Sequence, residues 1–223
     1  MEEQEQLERV EQVFDEWASN GRADKMADGH HVAASDAFAR LDVQAGQHYL
    51  DIGCGNGYTV RWAAQIDESV QACGLDLSEH MIRHARVLSA DLPNTRFIHA
   101  PFPLELLKPR VFDAIFSMEV FYYLPDLTWS LLNVIRLLKP GGLFACVVDY
   151  YEENPDSHDW PDRLGVSMHR LSEEGWRLAM EAVGFDIVEQ RRVCSELDSA
   201  EEQTWKHVAG SLLTLGRRPL DAA

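Results

Sequence analysis

The chain has 223 residues, 46 % hydrophobic and 26 % charged, with 20 basic and 37 acidic side chains and a formal net charge of −17. That size and balance suit one folded domain with a full core and exclude a disordered or fibrous chain. The negative surface repels phosphate backbones and anionic lipid, which disfavours nucleic-acid and membrane partners, and it also suits a protein kept soluble at high salt.

Leu7, Val10, Phe14 and Trp17 recur at three- and four-residue steps, so Glu3 to Trp17 reads as an amphipathic helix, stopped by Ser19-Asn20-Gly21. Arg22 to His31 has no period and reads as a loop or short turn, and Ala33 to Leu41 as a second short helix. Tyr49 to Ile52 is a short apolar strand running into glycines, followed by a helix over Tyr58 to Ile66. Val70 to Leu75 is a second strand, ending at Asp76. Ser78 then caps a helix whose inner face is Met81, Ile82, Ala85 and Leu88. Strands follow at Arg96 to His99 and Phe112 to Met118, then a helix over Leu127 to Leu138 that Lys139-Pro140-Gly141-Gly142 ends. Leu143 to Val148 is a continuously apolar strand, of the kind buried on both faces. A long aromatic and acidic loop runs to Trp160, a helix spans Ser172 to Val183, and Phe185 to Val193 and Val208 to Leu215 read as an edge hairpin. Alternating strands and helices predict a mostly parallel sheet covered on both sides.

No apolar run approaches the roughly 20 residues of a membrane-spanning helix, and Met1 to Gln6 is acidic and polar, unlike a secretory signal. These features point to the cytoplasm. Cys54, Cys73, Cys146 and Cys194 form no C-x-x-C pair and fall in or beside strands; they read as buried, reduced thiols rather than metal ligands, and no metal is expected.

The central constellation is Asp51-Ile-Gly53-Cys-Gly55-Asn-Gly57, between a strand and a helix, with Asp76 nineteen positions after Gly57 at the end of the next strand. Glycines let the backbone turn sharply and let a ligand come close. A carboxylate at Asp76 can accept both hydroxyls of a ribose, so the pair of features predicts a nucleoside ligand. The spacing is G-x-G-x-G, not the dinucleotide G-x-G-x-x-G, and Asp51 stands before it. A carboxylate there would repel a pyrophosphate but can accept bonds from an ammonium, which favours a nucleoside with a cationic amino-acid tail.

Leu50-Asp-Ile-Gly-Cys-Gly-Asn-Gly57, Gly74-Leu-Asp-Leu-Ser78, Phe112-Asp-Ala-Ile-Phe-Ser117 and Leu138-Lys-Pro-Gly-Gly-Leu143 resemble the successive motifs of class I S-adenosylmethionine-dependent methyltransferases. The likeness is strong over about Gln47 to Val148. It implies an α/β, Rossmann-like doubly wound sheet of seven strands, order 3-2-1-4-5-7-6, with the last strand antiparallel. It also implies a single domain over residues 1–223, with an N-terminal helical cap (1–45) and a cofactor-binding core (46–223). On this resemblance S-adenosylmethionine is the cofactor. Asp51, Gly53, Cys54, Gly55, Asn56 and Gly57 would line its methionine part, and Asp76 would hold the ribose. Leu77 and Met81 would pack on the adenine or ribose, and Ser117 and Met118 would border the sulfonium. Many family members carry an acid after the third strand; this chain has His99-Ala100-Pro101-Phe102, so Ala100, Pro101 and Phe102 would border the adenine instead.

Methyl transfer needs alignment of the nucleophile more than it needs an acid or base. A nucleophile that loses a proton needs a base, most often histidine. The resemblance places His30 and His31 over the cofactor and Tyr122 and Tyr123 where substrate meets it. His31, His169 and Tyr122 are the candidates for catalysis; a solvated or structural role is the simpler reading of each histidine, including His158. Tyr150, Tyr151 and Trp160 could wall an apolar or cationic substrate, or pack under a lid. Trp17 reads as core, and Lys25 could meet the cofactor's carboxylate or lie exposed. The expected function is methyl transfer to a small molecule by a monomer or homodimer. The alternatives are a protein or RNA methyltransferase, a non-catalytic cofactor-binding module, and, against the glycine spacing, a nicotinamide-dependent oxidoreductase.

Overall fold

A computed structural model of the chain describes residues 3–19, 22–196 and 203–221, with the side chains of residues 3, 18, 19 and 22–27 outside that description. In chain order the elements are α1 (Glu3–Ser19), α2 (Arg22–Leu41), β1 (His48–Ile52), α3 (Tyr58–Ile66), β2 (Gln71–Asp76), α4 (Glu79–Leu88), β3 (Thr95–His99), β4 (Phe112–Met118), α5 (Leu127–Leu137), β5 (Leu138–Val148), α6 (Trp160–Leu164), α7 (Glu173–Ala182), β6 (Asp186–Val193), α8 (Trp205–Val208) and β7 (Ser211–Arg217). The strands form one sheet in the order β3-β2-β1-β4-β5-β7-β6. β7 runs antiparallel to both its neighbours, and the other pairs are parallel. This is the sheet that the motif resemblance implies. Its order reverses at β1, which pairs with β2 on one side and β4 on the other. A ligand crevice therefore opens beyond the carboxyl ends of these strands.

Period-two alternation divides the core. Leu50, Ile52, Leu75, Ile115, Phe144 and Cys146 face α5 and α7, where Leu131, Val134, Trp176 and Met180 cover them. Tyr49, Ala72, Ala114, Phe116, Ala145 and Val147 face α2 and α3. Ser78 caps α4 by accepting the Met81 N–H at 3.1 Å, and Ser172 caps α7 by accepting the Gly175 N–H at 3.0 Å.

Several elements differ from expectation. Arg22–His31 is not a loop: α2 is one helix of 20 residues. Its small residues Ala33, Ala34 and Ala37 lie buried in the β4–β5–β7 face, and this close packing supplies what the local period lacks. Asn20 and Gly21, part of the expected stop after α1, lie outside the described residues. Lys139-Pro140-Gly141-Gly142 sits inside β5, because the Gly141 N–H donates to the Arg218 carbonyl and the Arg218 N–H to that of Gly142, both at 2.9 Å. The expected strand from Val208 begins only at Ser211, after the short helix α8, which the Thr204–His207 capping box starts. Leu88 is 41 % exposed, past the end of the helix face that reaches the core. Cys54, Cys73 and Cys146 are buried free thiols, but Cys194 is exposed because β6 ends one residue before it. No helix among the described residues is long and apolar enough to cross a membrane.

Candidate functional site

A cavity of about 650 Å³ opens where β1, β2 and β4 end, roofed by Leu7, Val10, Phe14 and Trp17 of α1. Its floor is the glycine turn. The Gly53 and Cys54 N–H groups both donate to the Leu75 carbonyl, at 2.7 and 3.0 Å, which ties the turn to β2. Gly55 has φ +52°, and a Cβ placed there would meet no atom within 4 Å. The backbone is thus bare toward the cavity. Gly57 is a glycine for another reason: φ is +76°, and a Cβ would come within 2.6 Å of the Phe97 ring.

Asp76 holds the turn from the side. Its Oδ2 accepts the Gly55 N–H and its Oδ1 the Ser78 N–H, both at 2.8 Å. Burial pushes its carboxyl up to about 6 despite those two bonds. Asp51 is 2 % exposed; it accepts the Thr59 hydroxyl through Oδ2, while Oδ1 has no partner. Burial pushes it up to about 7, opposed by Thr59 and reinforced by Asp76. A buried carboxylate oxygen without a donor, next to an open backbone cradle, fits a ligand that brings a cationic amino group and a ribose.

The residues expected at the cofactor divide cleanly. Asp51, Gly53, Cys54, Gly55 and Asn56 line the cavity, as do Asp76, Leu77 and Met81. Ala100, Pro101 and Phe102 line it after β3, as do Met118 at the end of β4 and Tyr122 beyond it. Gly57 packs behind the turn instead. Ser117 points to the opposite side of the sheet, where its hydroxyl donates to the Ile52 carbonyl at 2.8 Å. His31 is exposed on α2, its ring edge-on to Trp62 at 5.5 Å. The His169 N–H donates to the Tyr122 carbonyl and its Nε2 lies 2.8 Å from the Leu124 carbonyl, so it braces the segment after β4 from outside. Neither histidine reaches the lining. His158 likewise contacts a backbone carbonyl, that of Glu152.

Tyr122, Tyr123, Trp160 and Trp205 wall the far end. Tyr150 stacks behind Trp160, with ring centroids 6.4 Å apart, and Tyr151 is buried with its hydroxyl on the Ala209 carbonyl at 2.8 Å. Both pack under the wall rather than form it. Trp17, read from sequence as core, lies in the roof. The side chain of Lys25 falls outside the described residues.

Sequence reasoning missed Glu119, and of the two histidines it set over the cofactor it chose His31 as the candidate, whereas His30 is the one that lines the cavity. Glu119 directly follows β4, as Asp76 closes β2. His30 shares the helical stripe of Ala33, Ala34, Ala37 and Leu41, a signal legible only once Arg22–Leu41 is taken as one helix. Glu119 has φ +63°; its Oε2 accepts the Tyr122 hydroxyl at 2.6 Å and its Oε1 the Asp149 N–H. Asp149, at the end of β5, is 1 % exposed and lies 3.7 Å from His30 Nε2. Burial, and then the Lys206 charge, push His30 down to about 4. Burial pushes both carboxyls upward, and the neighbouring Asp149 adds to the rise at Glu119.

A sequence profile of the methyltransferase domain family matches residues 50–146. The chain is 32 % identical to the Haloferax volcanii chain solved in complex with the Trm112 methyltransferase activator, with a TM-score of 0.85; the match covers 92 % of this chain and 97 % of that one. It is 32 % identical over 126 residues to cycloartenol-C-24-methyltransferase 1 of Oryza sativa subsp. japonica, covering 53 % of this chain and 36 % of the relative. It is 30 % identical over 122 residues to a demethylmenaquinone methyltransferase of Staphylococcus epidermidis, covering 53 % and 49 %. The chain spans about half the length, or less, of these curated relatives.

Proposed function

Because the chain belongs to the class I S-adenosylmethionine-dependent methyltransferases, we propose that it transfers the cofactor's methyl group to a small acceptor held in the cavity under α1. The carrying observation is continuity: one space of about 650 Å³ runs from Gly55 and Asp76 to Tyr122 and Trp160. That is within the range of sites that enclose small ligands. When bound, S-adenosylmethionine supplies a methyl carbon activated by positive sulfur. Asp51 accepts its ammonium through the orphaned Oδ1. Asp76 keeps lone pairs for the ribose hydroxyls beyond its two backbone bonds. Leu77, Met81 and Phe102 pack against the nucleoside. Met118, rather than Ser117, borders the reacting centre, since the Ser117 hydroxyl is committed to the Ile52 carbonyl. The α1 roof excludes water, and the aromatic wall aligns the acceptor.

The rice and Staphylococcus relatives are named for cycloartenol and demethylmenaquinone, and the aliphatic and aromatic wall here supports an acceptor with apolar surface. The reading includes residues 1–45 as a cap on one domain and a cytoplasmic setting, where Cys54, Cys73 and Cys146 stay reduced. Calorimetry with S-adenosylmethionine, S-adenosylhomocysteine and NAD tests it: the first two bind and NAD does not. Binding of NAD alone sinks the proposal. Asp76→Ala weakens S-adenosylhomocysteine by about 1–3 kcal/mol; unchanged affinity removes the ribose role. Release of S-adenosylhomocysteine across a metabolite panel separates turnover from silent binding.

The near full-length likeness to the Haloferax volcanii chain solved with Trm112 supports a second proposal, that this chain pairs with a Trm112-type activator. Co-expression with the activator from the same host gives one co-eluting species; separate elution of the two refutes pairing.

A further inference from the structure

His30 and Glu119 line the cavity with Asp149 buried against them, and the proposed function gives none of the three a role in holding the cofactor. We infer that Glu119 and Asp149 form a proton-accepting carboxylate pair, and that the methyl acceptor is a molecule whose nucleophilic atom carries a proton: a hydroxyl, a primary or secondary amine, or an acidic carbon. The inference rests on the methyl-transfer reading above.

Position is the first ground. Glu119 directly follows Met118 and lines the cavity, while the next residue, Val120, packs against Gly53 of the glycine turn. Orientation is the second. The Glu119 N–H donates to the Val147 carbonyl at 2.9 Å, extending the β4–β5 ladder, and its left-handed backbone turns the side chain under the Tyr122 hydroxyl and the Asp149 N–H. A non-glycine residue in that conformation persists where its surroundings over-determine it, often at functional sites. Third, neither carboxylate oxygen of Asp149 has a hydrogen-bond partner of ordinary geometry, although the side chain is buried and faces His30 and Glu119.

Charge decides what such a pair does. Two buried carboxylates side by side cannot both stay ionised without compensation. Lys206, whose Nζ donates to the Gly29 carbonyl at 2.5 Å, supplies one positive charge beside them. Ser211 on β7 and Tyr122 after β4 offset part of the rise, and Tyr58 on α3 faces the same charges. Burial and the Lys206 charge push the His30 imidazole on α2 toward its neutral form, so its 3.7 Å contact with Asp149 positions more than it neutralises. The remaining compensation is one proton shared by the pair, and the carboxylate still ionised is the base. In the reaction the acceptor's O–H, N–H or C–H proton passes to that carboxylate. The electron pair left on the acceptor forms the bond to the methyl carbon, and the carbon–sulfur bonding pair stays with sulfur.

His30, Glu119 and Asp149 also have the donor types of a divalent-cation site, with one ligand atom of each within 4.8 Å of the others. The Lys206 charge acts on both carboxyls and opposes a further cation between them, which favours the proton.

The test is carboxyl carbon-13 NMR on protein labelled at Glu and Asp, saturated with S-adenosylhomocysteine and titrated from about pH 5 to about pH 9. The wild type, Glu119→Gln and Asp149→Asn are compared, each with its metal content measured. A carboxyl step near neutral pH that both variants lose is expected in the wild type, distinct from the Asp51 and Asp76 steps that all three proteins share and that Asp51→Asn and Asp76→Asn assign, with S-adenosylhomocysteine affinity held within about threefold as the check on folding. In a panel of phenols, amines, thioethers and tertiary amines, turnover is expected with protic acceptors. Glu119→Gln then lowers kcat by about 10²–10⁴-fold without raising the KM for S-adenosylmethionine. The proposal is overturned by the absence of a carboxyl step that both variants lose, by turnover confined to thioethers or tertiary amines, or by a wild-type rate in Glu119→Gln. A stoichiometric Mn²⁺ or Zn²⁺ lost in both variants overturns it in favour of a metal site. Failure of the wild type to bind S-adenosylhomocysteine sinks the methyl-transfer reading instead, and the titration of the ligand-free pair still reports on the carboxylates.

Discussion

Asp51 and Asp76 flank one glycine turn in different hydrogen-bonding states, and pH separates their effects. Both carboxyls are raised above the ordinary carboxylate value, to about 7 and about 6. Between about pH 4 and about pH 7 the ligand-free native protein therefore holds protons that the unfolded chain has lost, so its stability falls as pH rises through that window. A ligand ammonium needs ionised Asp51, so affinity runs the other way. Urea denaturation should show stability declining from acid to neutral pH, while calorimetry shows S-adenosylhomocysteine tightening by up to about tenfold per pH unit below about 7. Asp51→Asn should flatten most of both slopes; slopes of equal sign would refute the assignment. At this scale the glycines and the two acids were legible because strand–turn–helix spacing carries them. Glu119, and the choice of His30 over His31, were not, because both depend on contacts with Asp149, distant from them in sequence.

Helix α1 owes its place to few polar contacts. Gln6 is 5 % exposed; its amide donates to the Ser167 carbonyl at 2.6 Å and accepts the Ser167 N–H at 3.0 Å. Asp15 accepts the Ser78 hydroxyl at 2.5 Å and lies 3.2 Å from His80. Gln6→Leu strands both Ser167 groups at a cost of about 1–3 kcal/mol. Amide exchange across α1 should then accelerate and S-adenosylhomocysteine bind more weakly; unchanged exchange would mean that α1 is held by its apolar face alone. Gly57→Ala tests the other side of the cleft. The new Cβ meets the Phe97 ring in a left-handed backbone, so thermal unfolding should show a loss of roughly 1–3 kcal/mol. Equal stability would show that Phe97 yields without cost. The alternation of β1, β2, β4 and β5 was readable because buried strands are apolar runs between turn signals. The continuity of α2 was not: its first half shows no apolar period, and the sheet against which it packs is assembled from strands later in the chain.

The whole molecule carries a net charge of −17. Self-repulsion of that size opposes the compact state, and salt screens it beyond about 10 Å at 0.1 M. The melting temperature should rise as KCl is increased from low concentration; a fall would show that favourable ion pairs such as Arg40–Glu189 and Lys139–Asp113 outweigh the repulsion.

By itself the sequence determined the sheet, its order through the motif likeness, and the glycine turn with its two acids. Each is encoded by local period or by spacing within a strand–turn–helix unit. Only the tertiary structure decided which histidine faces the cavity, which side of β4 presents Ser117, and that β4 and β5 end in a buried carboxylate pair. Side-chain direction at a strand end depends on register with its neighbours, and a buried charge is defined by what surrounds it. Neither quantity exists until the chain has folded.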